Sequence, residues 1–169
     1  PAVSMVGFEQ GKTSTNDYRH YNIKTVIGAN DFDSMTEIVG RRYKRLKEEG
    51  LQYPNLIVID GGKGQLSSAV KALKDLELYG LIPIIGIAKR LEEIFVPNDT
   101  QALFLDKKSA SLKLLQQLRN EAHRFAITFH RTKRSNSSIN SEISTIDGIG
   151  GKTLSILLKK YKSTKRVFE

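Results

Sequence analysis

Apolar residues recur along this chain with two periods, and the period changes where turn-forming residues cluster. Residues 3–8 are small and apolar, and residues 18–26 alternate around Tyr21, Ile23 and Val26. Both read as strands, and the turn-rich residues 9–17 between them predict an antiparallel pair. Over residues 31–50 the spacing lengthens: Phe32, Met35, Ile38, Val39, Tyr43 and Leu46 fall on one helical face, with Arg41, Arg42, Lys44, Arg45 and Lys47 on the other. This predicts an amphipathic helix, capped around Asn30 and Asp31 and stopped by Gly50.

Residues 56–60, Leu-Ile-Val-Ile-Asp, form a short continuous apolar run, the pattern of a strand covered on both faces. Gly61-Gly-Lys-Gly64 then turns the chain into a helix over residues 65–78, and a second apolar run, residues 84–88, follows Pro83. Buried strand, helix, buried strand predicts a parallel crossover pair. A small hairpin is expected over residues 92–105, then a long helix over about residues 109–129. The sum is an α/β fold, a mixed sheet flanked by helices. Residues 131–141 hold Ile139 as their one apolar side chain among Arg, Lys, Ser and Asn, which predicts an exposed linker. Residues 143–168 read as a small all-α appendage with a hairpin at Gly148-Ile-Gly150 and a helix from Thr153 to about Tyr161. The expected division is a first domain over 1–131, a linker over 132–141 and a second unit over 142–169.

Composition narrows the function. No apolar run approaches the roughly 20 residues that span a bilayer, and no signal-peptide pattern opens the chain, so a soluble, cytoplasmic, non-membrane protein is expected. With no cysteine, any metal must sit on oxygen and imidazole ligands. The net charge of +9 is uneven: residues 1–120 carry 17 Lys/Arg against 14 Asp/Glu, residues 121–169 carry 10 against 4. A polyanion, nucleic acid before membrane, is the partner this favours, because the basic end lacks a stripe of large apolar side chains.

Several residues are candidates for chemistry. Asp60 ends a buried strand before two glycines, where open α/β sheets place their ligands; the competing reading is a cap for the next helix. The loop matches neither a phosphate-binding loop nor a dinucleotide fingerprint. His123 lies off the stripe formed by Leu112, Leu115, Leu118, Ala122 and Phe125, beside Gln116 and Arg119, so it is no core histidine. It is either a solvated side chain or part of a phosphodiester site with Arg119 and Arg124. Asp31 and Asp33 begin a helix, where carboxylates are favoured structurally. Lys89 follows the second buried strand at the sheet edge that carries Asp60. In Ile146-Asp-Gly-Ile-Gly-Gly-Lys152, Gly148 and Gly150 free backbone N–H groups for a DNA phosphate and Lys152 adds a charge, a contact that reads no bases. A glycine-rich turn between packed helices is the alternative.

Taken in order, Tyr18-Arg19, Glu37-Ile-Val-Gly-Arg-Arg-Tyr43, Ile59-Asp-Gly-Gly-Lys-Gly-Gln65, Gly86-Ile-Ala-Lys89, Glu121-Ala-His-Arg-Phe-Ala-Ile127 and His130-Arg131 resemble the C-terminal half of the UvrC family. The resemblance implies a ribonuclease H-like fold with a helix-hairpin-helix appendage. It further implies an excision endonuclease of bacterial nucleotide excision repair and the SOS response, making the 5′ incision beside a lesion in damaged duplex DNA with UvrB and UvrA as partners. The 3′ cut would belong to another domain. By the same resemblance Asp60 and His123 match catalytic, metal-binding positions, and Asp31 matches a further acidic position implicated in incision. The first catalytic aspartate would lie on a strand upstream of Pro1, so the fragment alone is expected to be inactive. Asn120 replaces a common aspartate, and one helix-hairpin-helix stands where the family usually has a pair. Mg²⁺ or Mn²⁺ suits such ligands, and Arg19, Lys89 and Arg124 are candidates for backbone contacts. The rivals are a non-catalytic DNA-binding scaffold and a ribonuclease H-like nuclease acting on RNA–DNA hybrids or branched DNA.

Overall fold

The computed structural model describes residues 2–161 apart from 27, 29, 89, 91 and 145, and describes the backbone alone at 2, 134–144 and 158. The first antiparallel pair is present: β1 (Ala2–Met5) runs against β4 (Arg19–Asn22), with Val3 opposite Tyr21 and Met5 opposite Arg19. Between them β2 (Phe8–Glu9) and β3 (Lys12–Thr13) fold back as a hairpin of their own. Its two-residue turn, Gln10-Gly11, supplies the two positive φ values, 50° and 76°, that match the twist of the strands.

The strand expected to reach residue 26 ends at Asn22, and the reason lies in the next helix. In α1 (Asp31–Glu48) the Glu37 carboxylate accepts the Lys24 and Thr25 amides, both at 2.9 Å, and the Thr25 hydroxyl at 2.6 Å, so these donors leave the sheet for the helix. Arg41 closes the clamp, donating to Glu37 at 3.0 Å and to the Asn22 carbonyl at 2.8 Å. Asn30 caps the helix as the pattern predicts, accepting the Phe32 and Asp33 amides. Ile38, Val39, Tyr43 and Leu46 are buried, as their spacing requires. The basic face is largely neutralised along the helix by Arg41–Glu37, Lys44–Glu48 and Arg45–Glu49.

The bonds from Thr25, with those from Lys24 and Arg41, hold the Glu37 carboxyl down at about 2 against an ordinary 4.5. A depressed carboxylate stabilises the fold fully above its unfolded value and loses that contribution as pH falls toward the folded one. Glu37→Gln is therefore expected to cost on the order of 1–3 kcal/mol at neutral pH. The gap in thermal midpoint between native and variant should close between about pH 4.5 and pH 2; a gap that stays constant over that window would contradict the clamp.

The central sheet has the order β5-β6-β7. β5 (Ile57–Asp60) and β6 (Ile84–Ala88) are parallel, joined through α2 (Lys63–Asp75), and β7 (Glu93–Phe95) returns antiparallel to β6. Side chains alternate between two faces. Ile57, Ile59, Ile84 and Phe95 join the core with Val39, Tyr43 and Leu46 of α1 and Leu66, Ala69 and Leu73 of α2. Val58, Ile85, Ile87 and Ile94 face the other way and meet Leu115 and Leu118 of the long helix α3 (Ala110–Ser144). The expected mixed sheet flanked by helices is thus present, with β1–β4 and β5–β6–β7 as separate sheets among the described residues. Of the hairpin predicted over residues 92–105, Ile94 and Leu103 exchange both backbone bonds, at 2.9 and 2.8 Å, and the return segment forms no further strand.

The chain divides into two compact units, residues 1–124 and 125–169. The boundary falls within α3, which continues through residues 132–141, the segment expected as a linker. That segment contains neither Gly nor Pro, and extending an existing helix adds a hydrogen bond per residue without a new nucleation cost. In the second unit, a turn leads into α4 (Gly151–Tyr161), with Gly148 at φ 87° and the Leu154 amide donating to the Gly150 carbonyl at 3.0 Å. Among the described residues no helix is long and apolar enough to cross a membrane.

Candidate active site

Asp60 is the last residue of β5, exposed, and opposite Ile87 of β6. Strand alternation gives it the face of Val58, the face on which Leu115 and Leu118 of α3 lie. The turn after it is held tightly. The Gly61 amide continues the parallel ladder to the Ile87 carbonyl at 3.0 Å, and a Cβ on Gly86 would stand 3.0 Å from the Gly61 carbonyl oxygen, a tight contact that a larger residue would make only by shifting the turn. The N-cap position of α2 is Gly62, two residues after Asp60. Phe32 lies against Gly64, which brings the start of α1, with exposed Asp31, to the start of α2. Lys63 is occupied elsewhere, donating to the Thr100 carbonyl with its ammonium 5.7 Å from the Phe95 ring centroid.

On α3, Leu112 and Leu115 are buried while His123 is exposed, as the off-stripe position requires. The same polar face meets the turn after β6: Gln116 Nε2 donates to Glu92 Oε1 at 2.7 Å, and Arg119 Nη2 stands 3.6 Å from that oxygen. Because Ala88 pairs with Glu93, this turn is at the carboxyl end of β6, the end at which β5 finishes in Asp60. A second tie involves Glu121, which accepts from the Tyr18 hydroxyl at 2.9 Å and from Arg124 at 2.6 and 2.8 Å. The bonds from Arg124 lower the Glu121 carboxyl below its usual range, and burial raises the Tyr18 phenol. Arg124, read as a DNA contact, is thus engaged with Glu121 here, and Arg19 donates to the carbonyls of Asn16 and Tyr18. Lys89 lies outside the described residues. Among those described, no three His, Asp or Glu side chains gather as a group able to hold a metal ion, so Asp31, Asp60 and His123 are not brought together as one.

Across residues 1–127 the chain matches the family described as the UvrC RNAse H endonuclease domain. The chain belongs to that family. Relatives in the UvrC family are similar over almost all of it: UvrABC system protein C of Flavobacterium psychrophilum is 63% identical over 167 residues, covering 99% of this chain and 28% of the relative. The same protein of Cytophaga hutchinsonii is 60% identical over 170 residues, covering 100% and 28%, and that of Chlorobium chlorochromatii is 51% identical over 164, covering 97% and 26%. The chain therefore spans little more than a quarter of the length of the curated relatives it matches. Family membership gives the mixed sheet and its flanking helices a ribonuclease H-like identity.

The pattern in the sequence did not reveal the Glu92, Glu37 or Tyr18–Glu121 ties. Glu37 and Arg41 carried the one local signal, opposite charges four residues apart on a helix.

Proposed function

We propose that this chain is the endonuclease part of a nucleotide excision repair protein, hydrolysing a phosphodiester on the 5′ side of a lesion in duplex DNA within the cytoplasm, together with UvrA and UvrB. The observation that carries the reading is that Asp60 ends the first of the two parallel strands, its side chain on the α3 side of the sheet, while the polar face of α3 that bears His123 ties to the same carboxyl edge through Gln116, in a chain of the UvrC endonuclease family.

Asp60 and His123 are the proposed ligands for a divalent cation, with Asp31 as a further acidic group. A carboxylate and an imidazole suit Mg²⁺ or Mn²⁺, the latter tolerating nitrogen better. Such an ion, when bound, polarises the phosphate and lowers the pKa of the attacking water. A ring nitrogen of His123 is the alternative proton acceptor from that water. Two ligands are too few to orient the ion, so the full-length protein is proposed to add a carboxylate on a strand preceding residue 1. Arg19, Lys89 and Arg124 are proposed to contact the DNA backbone and Gly148, Gly150 and Lys152 to contact phosphate, in a partial helix-hairpin-helix unit.

One comparison tests the reading. With Mg²⁺ or Mn²⁺ and its partner proteins, the full-length protein should incise lesion-bearing duplex at least about tenfold faster than a branched junction or an RNA–DNA hybrid, and the isolated 169-residue chain should cut none above background. Preference for junction or hybrid would favour a different nuclease, and turnover by the isolated chain would refute the shared-ligand site.

A further inference from the structure

We propose that Glu92 is a positioning residue for the nuclease site: by clamping the Gln116/Arg119 face of α3 to the turn after β6, it sets where His123 stands at the edge that carries Asp60. The inference rests on the nuclease reading above. Three independent observations carry it.

The first is backbone conformation. Glu92 has φ 54°, in the left-handed region that a glutamate rarely adopts and that persists only when its surroundings fix it. The second is what that conformation achieves: one carboxylate oxygen serves two α3 side chains, Gln116 at 2.7 Å and Arg119 at 3.6 Å. Gln116, Arg119 and His123 are spaced i, i+3 and i+7, so all three lie on one helical face, and fixing the first two fixes the rotation of the turn bearing the third. The third is the state of Arg119, whose side chain is 13% exposed and whose Nη1 is buried without a hydrogen-bond partner among the described residues. A largely buried guanidinium with Glu92 as its ion-pair partner is an expensive way to hold a helix; an apolar pair would serve stability as well. The arrangement gives instead a directional contact, one that resists rotation and sliding of α3 where apolar packing by Leu115 and Leu118 does not.

The test uses the full-length protein with its partners. Glu92→Gln leaves Arg119 buried and uncompensated and should lower the thermal midpoint, whereas Glu92→Gln combined with Arg119→Met removes both charges and should restore it. In that double variant, single-turnover incision of saturating lesion-bearing duplex should still be about 10–100-fold slower, the range for partners that orient ligands, with DNA affinity within about threefold. Gln116→Leu, which deletes the bond from an uncharged donor and keeps the Glu92–Arg119 ion pair, should slow incision about three- to tenfold at unchanged affinity, with a midpoint lowered less than in Glu92→Gln. It decides the matter if the double variant fails to fold. Native rates in a folded double variant, or in Gln116→Leu if the double variant is unfolded, would overturn the positioning role and leave a structural ion pair. Asp60→Ala run in parallel separates the two claims. Incision that survives it defeats the nuclease reading itself, while an inactive Asp60→Ala beside native-rate clamp variants defeats the positioning role alone.

Discussion

Asp60→Ala and His123→Ala, each made in the full-length protein, should abolish the 5′ incision, by about a thousandfold or more, while DNA affinity stays within a few-fold. The size follows from the work assigned to the two side chains: together they are this chain's proposed hold on the cation and its means of accepting the water's proton, and members of a unit that acts together cannot be removed singly at small cost. The insensitivity of binding follows from charge. Affinity for duplex DNA comes mainly from neutralising phosphates, and neither an exposed carboxylate nor a single imidazole contributes to that. Removing Asp60 takes away a negative charge, so affinity can even rise slightly. A 3′ cut made by a different domain should survive both substitutions, which guards against general misfolding as the cause. Loss of binding in proportion to loss of cutting would mean that these residues shape the DNA surface rather than the chemistry.

How far the sequence leads depends on whether a feature is set by periodicity or by distant partners. The run ending in Asp60 reads as a buried strand because its apolar residues are continuous, and it is one. His123 reads as exposed because it falls off the Leu112/Leu115 stripe, and it is exposed. Both are one-element properties. Glu92 shows the opposite case: its partners Gln116 and Arg119 lie 24 and 27 residues away, and nothing in the spacing of charges says which glutamate a given arginine will meet. The end of β4 fails to read for the same reason. Residues 23–26 keep a strand-like alternation, but the Lys24 and Thr25 amides find Glu37, 13 and 12 residues on, and a charged acceptor outbids a strand edge. The long helix, expected to end near residue 129, runs on through residues 132–141, where continuity with an existing helix prevailed over a polar composition.

The second large effect concerns the segment after α3. The turn before α4 has Gly148 at φ 87°, and Gly148, Gly150 and Gly151 put no Cβ near the start of this helix of 11 residues. Lys152 follows in the first turn, and Lys159 and Lys160 lie in the last. A helix N-terminus with free N–H groups attracts a phosphate through the backbone, and such a contact carries no base information. Each phosphate neutralised contributes about 0.9 to the slope of log affinity against log salt for duplex DNA. Replacing Lys152, Lys159 and Lys160 by glutamine in the full-length protein should therefore flatten that slope by about two units or more and weaken binding on the order of tenfold at low salt. Gly148→Val should reproduce part of the loss. A Cβ there meets open space, but valine is strained at positive φ, so the turn itself must change and with it the aim of the N–H groups. Unrelated duplexes of equal length should be affected alike. An unchanged salt slope in the triple variant would instead make this unit a docking surface for protein, and the phosphate contacts would have to be sought on the first unit.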